Sequence, residues 1–191
     1  FRRLFPAATI HCFEPSPTEF TRLARWAARQ GRHVTCEQSA LGDTEGTASL
    51  FVYPESPWVS SLRAGASHWN ASGQKKEGSS VPRAVTVPVL RLDDIAGKVT
   101  LDDGILVKID VEGAEADVIR GGVKLLSRAE AVIVEVTVEH RFDDANDLLA
   151  VASLLDETGL VYAGNLLQSP APDGSIRYVD ALFLRRQDQT R

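Results

Sequence analysis

The stretch Ile105-Leu106-Val107-Lys108-Ile109-Asp110-Val111-Glu112-Gly113-Ala114-Glu115 constrains this chain more than any other. A short apolar run ends at an acid, a glycine follows, and helix-forming residues begin at once. Such a run, broken by a single lysine, reads as a strand of a parallel sheet covered on both faces. Parallel neighbours need long crossover connections, usually helices, so the expected class is α/β. In open α/β sheets, ligands bind just beyond the carboxyl ends of the strands. The stretch therefore reads as a central strand that delivers Asp110 to the ligand-binding edge, with Glu112 and Glu115 opening the next helix.

The remaining segments fit around this strand. Ala8 to Phe13 is a predicted strand that ends at Glu14-Pro15. Ser16 is placed to cap a helix, Pro17 suits its first position, and Glu19 stands where a capping-box acid belongs. Phe20, Leu23, Ala24 and Ala27 recur at helical spacing, and Gly31 stops the helix. His33 to Gln38 is the next strand, followed by a turn at Ser39-Ala40-Leu41-Gly42-Asp43. Thr47 to Tyr53 reads as an antiparallel or peripheral strand. Residues 54–82 are rich in Ser, Gly and Pro and carry Trp58, His68, Trp69 and Lys75-Lys76. A connection this long inside a compact domain is expected to be a lid or insert. Ala84 to Leu92 is a strand, and Asp93-Asp94-Ile95 starts a short turn. One helix is expected to carry Val118, Ile119, Gly122, Leu125 and Leu126 on a single face. Ala131 to Val136 is another buried strand. Asp143 or Asp144 is placed to cap a helix running to Gly159. Leu160 to Gly164 and Tyr178 to Arg185 close the sheet, joined through Ser169 to Ser175. With no helix between them, the last strand should pair antiparallel with its predecessor. The whole length, 1–191, reads as a single domain.

A net charge of −5 with scattered Lys and Arg excludes an obvious phosphate-binding face, so nucleic acid is not an expected partner. No apolar run is long enough to cross a bilayer, and a membrane role is not expected either. A small or weakly charged molecule is the expected partner. Cys12 and Cys36 both fall within predicted strands and read as inert packing rather than a bridge, which suits a reducing, cytoplasmic compartment. Two cysteines and four dispersed histidines make no recognisable metal site, and none is assigned. The acids Asp110, Glu112 and Glu135 have no spacing that separates a hard-cation site from solvated carboxylates.

Glu14, with Pro15 behind it, stands where an acid of a nucleotide-binding half-site holds ribose hydroxyls. The alternative is an exposed acid that favours the following helix through its dipole. Ser39, Ala40 and Leu41 are small enough at the corresponding tip for the backbone to approach an adenine ring, or they form an ordinary β-turn around Gly42 and Asp43. Lys108 and Asp110 share a strand face, and Glu135 on the neighbouring strand is a candidate partner for the lysine. Asp110 is the strongest candidate for contact with a reacting group. Glu112 and Glu115 are equally readable as helix-start acids. His140, just past the Ala131–Val136 strand, is a candidate general base or a surface histidine. His68 and Trp69 are weaker candidates, and His11 and His33 read as structural.

Phe13-Glu14-Pro15, Ala40-Leu41-Gly42, Ser60-Ser61-Leu62, Leu92-Asp93-Asp94 and above all Lys108 to Glu115, with Gly121 after it, resemble the FkbM-like family of S-adenosylmethionine-dependent methyltransferases. The resemblance runs from about Cys12 to Glu139. It implies a class I methyltransferase fold: a Rossmann-like sheet, mostly parallel, with one reversed C-terminal strand. It also implies S-adenosyl-L-methionine as cofactor and O-methylation of a hydroxyl on a sugar, polyketide or similar small metabolite. By the same resemblance Glu14 would hold the ribose, Ala40-Leu41 would flank the adenine, and Asp110 would border the methionine end. Asp110, Glu112 and His140 are then the candidates for accepting the proton of the acceptor hydroxyl. The family's first strand and glycine-rich cofactor loop have no counterpart from Phe1 onward. They are expected upstream, which would leave a gap in the sheet. Two other readings remain. Glu14 would serve the ribose of NAD in a Rossmann oxidoreductase equally well, and a non-catalytic binding module would use Trp58 or Trp69.

Overall fold

The computed structural model describes residues 1–53, 60–63, 82–97, 104–138 and 147–187. The first unit is β1 (Ile10–Phe13), α1 (Pro17–Ala28) and β2 (Val34–Glu37), with β1 and β2 parallel. Proline occupies the start of α1, and Ser16 is the residue before it. The Ser16 hydroxyl makes no cap, however, and the Ser16 N–H donates to the Glu14 carboxylate at 2.8 Å. Glu19 pairs with Arg22 at 3.0 Å instead of closing a capping box. Cys12 and Cys36 are direct neighbours across β1 and β2, and both are free. Burial, and then the neighbouring Cys36, push the Cys12 thiol up to about 11, so neither thiol is set up as a nucleophile.

A second sheet holds β3 (Ala40–Leu41), β4 (Gly46–Val52) and β5 (Arg83–Leu90) in the order β3-β5-β4. Ala40-Leu41 is thus not the turn expected from its composition. It runs parallel to β5, and Gly42 extends the pairing by donating to the Leu90 carbonyl at 3.0 Å. β4 is antiparallel to β5. The short helix α2 (Leu92–Ala96) follows directly where only a turn was expected.

The third sheet contains β6 (Leu106–Ile109), β7 (Ala131–Thr137), β8 (Leu160–Pro170) and β9 (Ile176–Arg185), in the order β6-β7-β9-β8. β6 and β7 are parallel, and β9 runs antiparallel to both of its neighbours. β9 therefore pairs with its predecessor and also inserts between it and β7. β6, expected to be central, lies at the edge of this sheet among the described residues. β7 and β9 alternate: Val132, Val134 and Val136, with Val179, Ala181 and Phe183, are buried. These side chains join Val118, Ile119, Leu125 and Leu126 from the crossover, and Val151 and Leu155 from α5 (Leu148–Glu157), in one apolar core. The opposite side chains of β7, including Ile133 and Glu135, are half-buried, so the sheet is fully covered on one face only. Asp147, not Asp143 or Asp144, caps α5 by accepting the Ala150 N–H at 2.8 Å; the other two lie outside the described residues.

The crossover after β6 is not one helix. α3 (Glu115–Arg120) ends at Gly121, and α4 (Val123–Leu126) begins after Gly122. Packing forces the break. A Cβ on Gly121 would stand 2.0 Å from the Gly42 carbonyl oxygen, and one on Gly122 would stand 2.8 Å from Leu92. The backbones of the two sheet units touch here. Asp93 bonds across the same seam. Its N–H donates to the Gly121 carbonyl at 2.9 Å, and its carboxylate accepts the Leu125 N–H at 2.9 Å, supplying one of the acceptors that the start of α4 lacks. On the far side, Arg185 donates to the Leu126, Ala129 and Thr158 carbonyls, gathering the ends of α4 and α5 with one guanidinium. Gly121→Ala is therefore expected to lower unfolding free energy by about 2–3 kcal/mol, the scale of overpacking against an unyielding backbone. Urea unfolding of the variant beside the parent protein measures this.

Candidate functional site

Glu14 follows β1, and strand pairing continues to it through its N–H to the Glu37 carbonyl at 3.1 Å. Burial holds its carboxyl above the usual range. The Ser16 N–H opposes that rise, while the charges of Glu19 and Asp110 add to it. Asp110 directly follows β6 as Glu14 directly follows β1. Pro15 joins Glu14 to Ser16, whose hydroxyl is buried and has no hydrogen-bond partner; the Ser39 hydroxyl at the tip of β2 is in the same condition. A buried hydroxyl left unpaired costs about 1–3 kcal/mol, so two of them beside Glu14 are polar groups suited to a polar ligand. Ala40 is buried with Leu50, Val87 and Val89, and Leu41 packs half-buried against the larger core. Their side chains hold the strand, so a planar ring would meet backbone at this tip.

The acids after β6 converge. Lys108 Nζ lies 2.7 Å from Asp110 Oδ2 and 3.6 Å from Asp180 Oδ1. Its ion-pair partners include Asp110 and Asp180, and the charge of Glu135, the partner expected from sequence, acts on it as well. Burial alone would depress the Lys108 ammonium, but the Asp110 hydrogen bond and the charges of Asp110, Asp180 and Glu135 carry it above its ordinary value. Glu135 stands opposite Asp180 in the β7–β9 register. One carboxylate oxygen each from Asp110, Glu112 and Glu135 lies within 4.8 Å of the others. A hard cation takes donors of this type. The Lys108 ammonium already pairs with Asp110, one of the three.

The turn from β6 into α3 aims these groups. Glu112 has φ 53°, and it is the one non-glycine residue with positive φ among those described; Gly113 follows at φ 100°. Glu115 is 3% exposed, and its carboxylate accepts the Gly113 N–H at 2.8 Å. Burial raises its pKa; the Gly113 N–H and its own N–H lower it, the Asp110 charge raises it, and the Arg63 charge lowers it. Glu115 is therefore a structural acid of the turn, while Asp110 is exposed and Glu112 half-buried at the rim. His140 lies outside the described residues, as do Trp58, His68 and Trp69; of the insert only 60–63 and 82 are described.

Two contributors, Asp180 and Arg63, went unread in the sequence, and Ser61 was read only as part of the Ser60-Ser61-Leu62 motif, with no role assigned. Asp180 was the most accessible of them, being an acid alternating within an apolar strand. Arg63 had no local signal. Ser61, 1% exposed, donates through its hydroxyl to the Glu112 carbonyl, and Arg63 pairs with Asp117 at 2.5 Å. A cleft of about 340 Å³ lined by Gly42, Thr44, Thr47, Leu62, Arg63 and Asp117, among others, reaches that ion pair, but neither Glu14 nor the Asp110–Glu112–Glu135 trio lines it.

The raised Glu115 has a signed consequence. A carboxyl with a higher pKa folded than unfolded binds more protons in the native state, so its contribution is present below pH 4.5 and is lost as pH rises through the raised value. Glu115→Gln keeps an acceptor for the Gly113 N–H and removes the titration. Urea midpoints measured from about pH 4 to 7 should show the parent protein losing stability relative to the variant as pH increases.

Comparison with known proteins identifies the family and the fold. The model of the methyltransferase FkbM domain matches residues 1–162. Methyltransferase 1 of Beauveria bassiana is 31% identical over 172 residues, covering 85% of this chain and 66% of that protein. The 2-O-methyltransferase NoeI of Sinorhizobium fredii is 26% identical over 170 residues, covering 84% of this chain and 67% of that one. Among solved structures, methyltransferase FkbM from Methylobacillus flagellatus shares the fold with a TM-score of 0.54 at 16% identity, over 92% of this chain and 36% of that one. The chain thus spans about two thirds of the length of these curated relatives, 66% and 67%, and a smaller share of the solved chain.

Proposed function

Because the chain belongs to the methyltransferase FkbM domain family, we propose that the whole protein transfers a methyl group from S-adenosylmethionine to a hydroxyl oxygen of a small acceptor such as a sugar or polyketide. The observation that carries this reading is the family match over residues 1–162, a span that includes Glu14 and Asp110, the acids that directly follow β1 and β6. The name of the Sinorhizobium relative, a 2-O-methyltransferase, supports oxygen as the methylated atom. No described helix is long and apolar enough to cross a membrane.

The residues present fit such a cofactor. Glu14 would hold the ribose hydroxyls, with Pro15 keeping the chain extended beside it. Ser39, Ala40 and Leu41 would border the adenine. Asp110 would lie against the methionine end, with Lys108 fixing its carboxylate at 2.7 Å. The two buried hydroxyls of Ser16 and Ser39 support a polar occupant at this end of the rim. When bound, S-adenosylmethionine would supply a methyl group activated by its sulfonium centre. The chain's own work is alignment and proton removal. Holding the acceptor oxygen in line with the methyl group contributes several kcal/mol by positioning alone. A carboxylate oxygen of Asp110 or Glu112 then receives the hydroxyl proton, with His140 as a third candidate.

In the full-length protein, Asp110→Ala should reduce turnover or cofactor affinity by about tenfold or more, the scale of losing one well-placed group. Kinetics indistinguishable from the parent would reject the assignment of Asp110. Calorimetric titration with S-adenosylhomocysteine and, separately, with NAD tests the cofactor class. Binding of NAD alone would overturn methyl transfer.

A further inference from the structure

We propose that Ser61 is a positioning residue: its buried hydroxyl holds the turn after β6 in the left-handed conformation that aims Asp110 and Glu112 at the same point. This inference rests on the methyl-transfer reading for its catalytic consequence, but not for its structural content.

An ordinary residue resists a φ of 53°, since its Cβ crowds the following carbonyl. Such a conformation persists only where its surroundings over-determine it. At Glu112 two contacts do so, and they grip opposite ends of one peptide unit. The Ser61 hydroxyl donates to the Glu112 carbonyl, and the Glu115 carboxylate accepts the N–H of Gly113, which belongs to the same peptide group. With both ends held, that peptide plane cannot rotate, which fixes the two torsions flanking it, ψ of Glu112 and φ of Gly113, and keeps the turn from flipping. A right-handed φ at this residue would swing its carboxylate away from Asp110 and Glu135, with which it now converges.

Ser61 can serve as a fixed point because it is itself anchored. Its N–H donates to the Phe51 carbonyl at 3.2 Å, and its carbonyl accepts the Phe51 N–H at 2.8 Å, forming an isolated antiparallel bridge to β4. Its hydroxyl also accepts the Arg63 N–H at 2.9 Å, so the single proton on that oxygen is committed to Glu112. Arg63 reinforces the hold two residues on, through Asp117 in the first turn of α3. Hydroxyl chemistry at position 61 is therefore required in both directions, as donor and as acceptor. Alanine offers neither, and threonine offers both.

The test uses the full-length protein with Ser61→Ala and Ser61→Thr. Two readouts are taken: hydrogen exchange of the Gly113 and Glu115 amides against Val134 in the core, and kcat with its pH profile. Support would be exchange at Gly113 about tenfold faster in Ser61→Ala with Val134 unchanged, kcat down about tenfold with a displaced acid limb, and recovery of both in Ser61→Thr. Unchanged exchange at Gly113 overturns the proposal whatever the enzyme does. Faster exchange with kcat and pH profile intact also overturns it, leaving a purely structural contact. If the parent protein transfers no methyl group to any acceptor, the functional reading fails, and the exchange result alone decides whether Ser61 holds the turn.

Discussion

The whole arrangement hangs on a place where two backbones touch. Gly121 has no side chain because the Gly42 carbonyl occupies the space a Cβ would take. That contact joins the β3-β5-β4 sheet to the crossover following β6, and everything at the rim is measured from it. Asp93 secures the seam with its own N–H and carboxylate, so Leu92-Asp93-Asp94 earns its place through packing and capping rather than chemistry. The motif residues Gly42, Asp93 and Gly121 are thus one structural device read at three points of the chain.

Above that seam lies an imbalance of charge. Asp110 and Asp180 pair with the Lys108 ammonium, and their charges and that of Glu135 favour its protonated form, while Glu112 converges on Asp110 and Glu135. Like charges this close are tolerated because Asp110 remains exposed and Lys108 is shared between two carboxylates. Burial acts differently on the neighbouring acids. Glu14 and Glu115 are both pushed toward the neutral form, yet Glu14 stands beside unpaired hydroxyls while Glu115 is consumed by the turn. Environment, not residue type, separates the two acids.

Much of this was legible in advance, and the reasons are local. Strand residues advertise themselves by β-branching and short apolar runs, and proline at the start of α1 and glycine after it mark helix ends within a few residues. Where local signals had competitors, the reading slipped. Ala40-Leu41 has turn-like neighbours, but the backbone of β5 claims it as a strand. Val118 to Leu126 keeps helical spacing across Gly121-Gly122, so periodicity could not reveal a break dictated by Gly42 and Leu92. The cap of α5 moved to Asp147 because several acids in a row offer equivalent caps.

By itself the sequence determined that the chain is α/β, that Asp110 directly follows a strand, and that the chain resembles its family, since each of these is carried by residues within about one turn or one strand of each other. Tertiary structure alone decided that β9 inserts between β7 and β8, that Lys108 pairs with Asp180 as well as with Asp110, and that Ser61 reaches the Glu112 carbonyl from 51 positions away. These are contacts between segments whose separation in the chain carries no periodic trace. Only the closure of the fold brings their donors and acceptors within hydrogen-bonding distance.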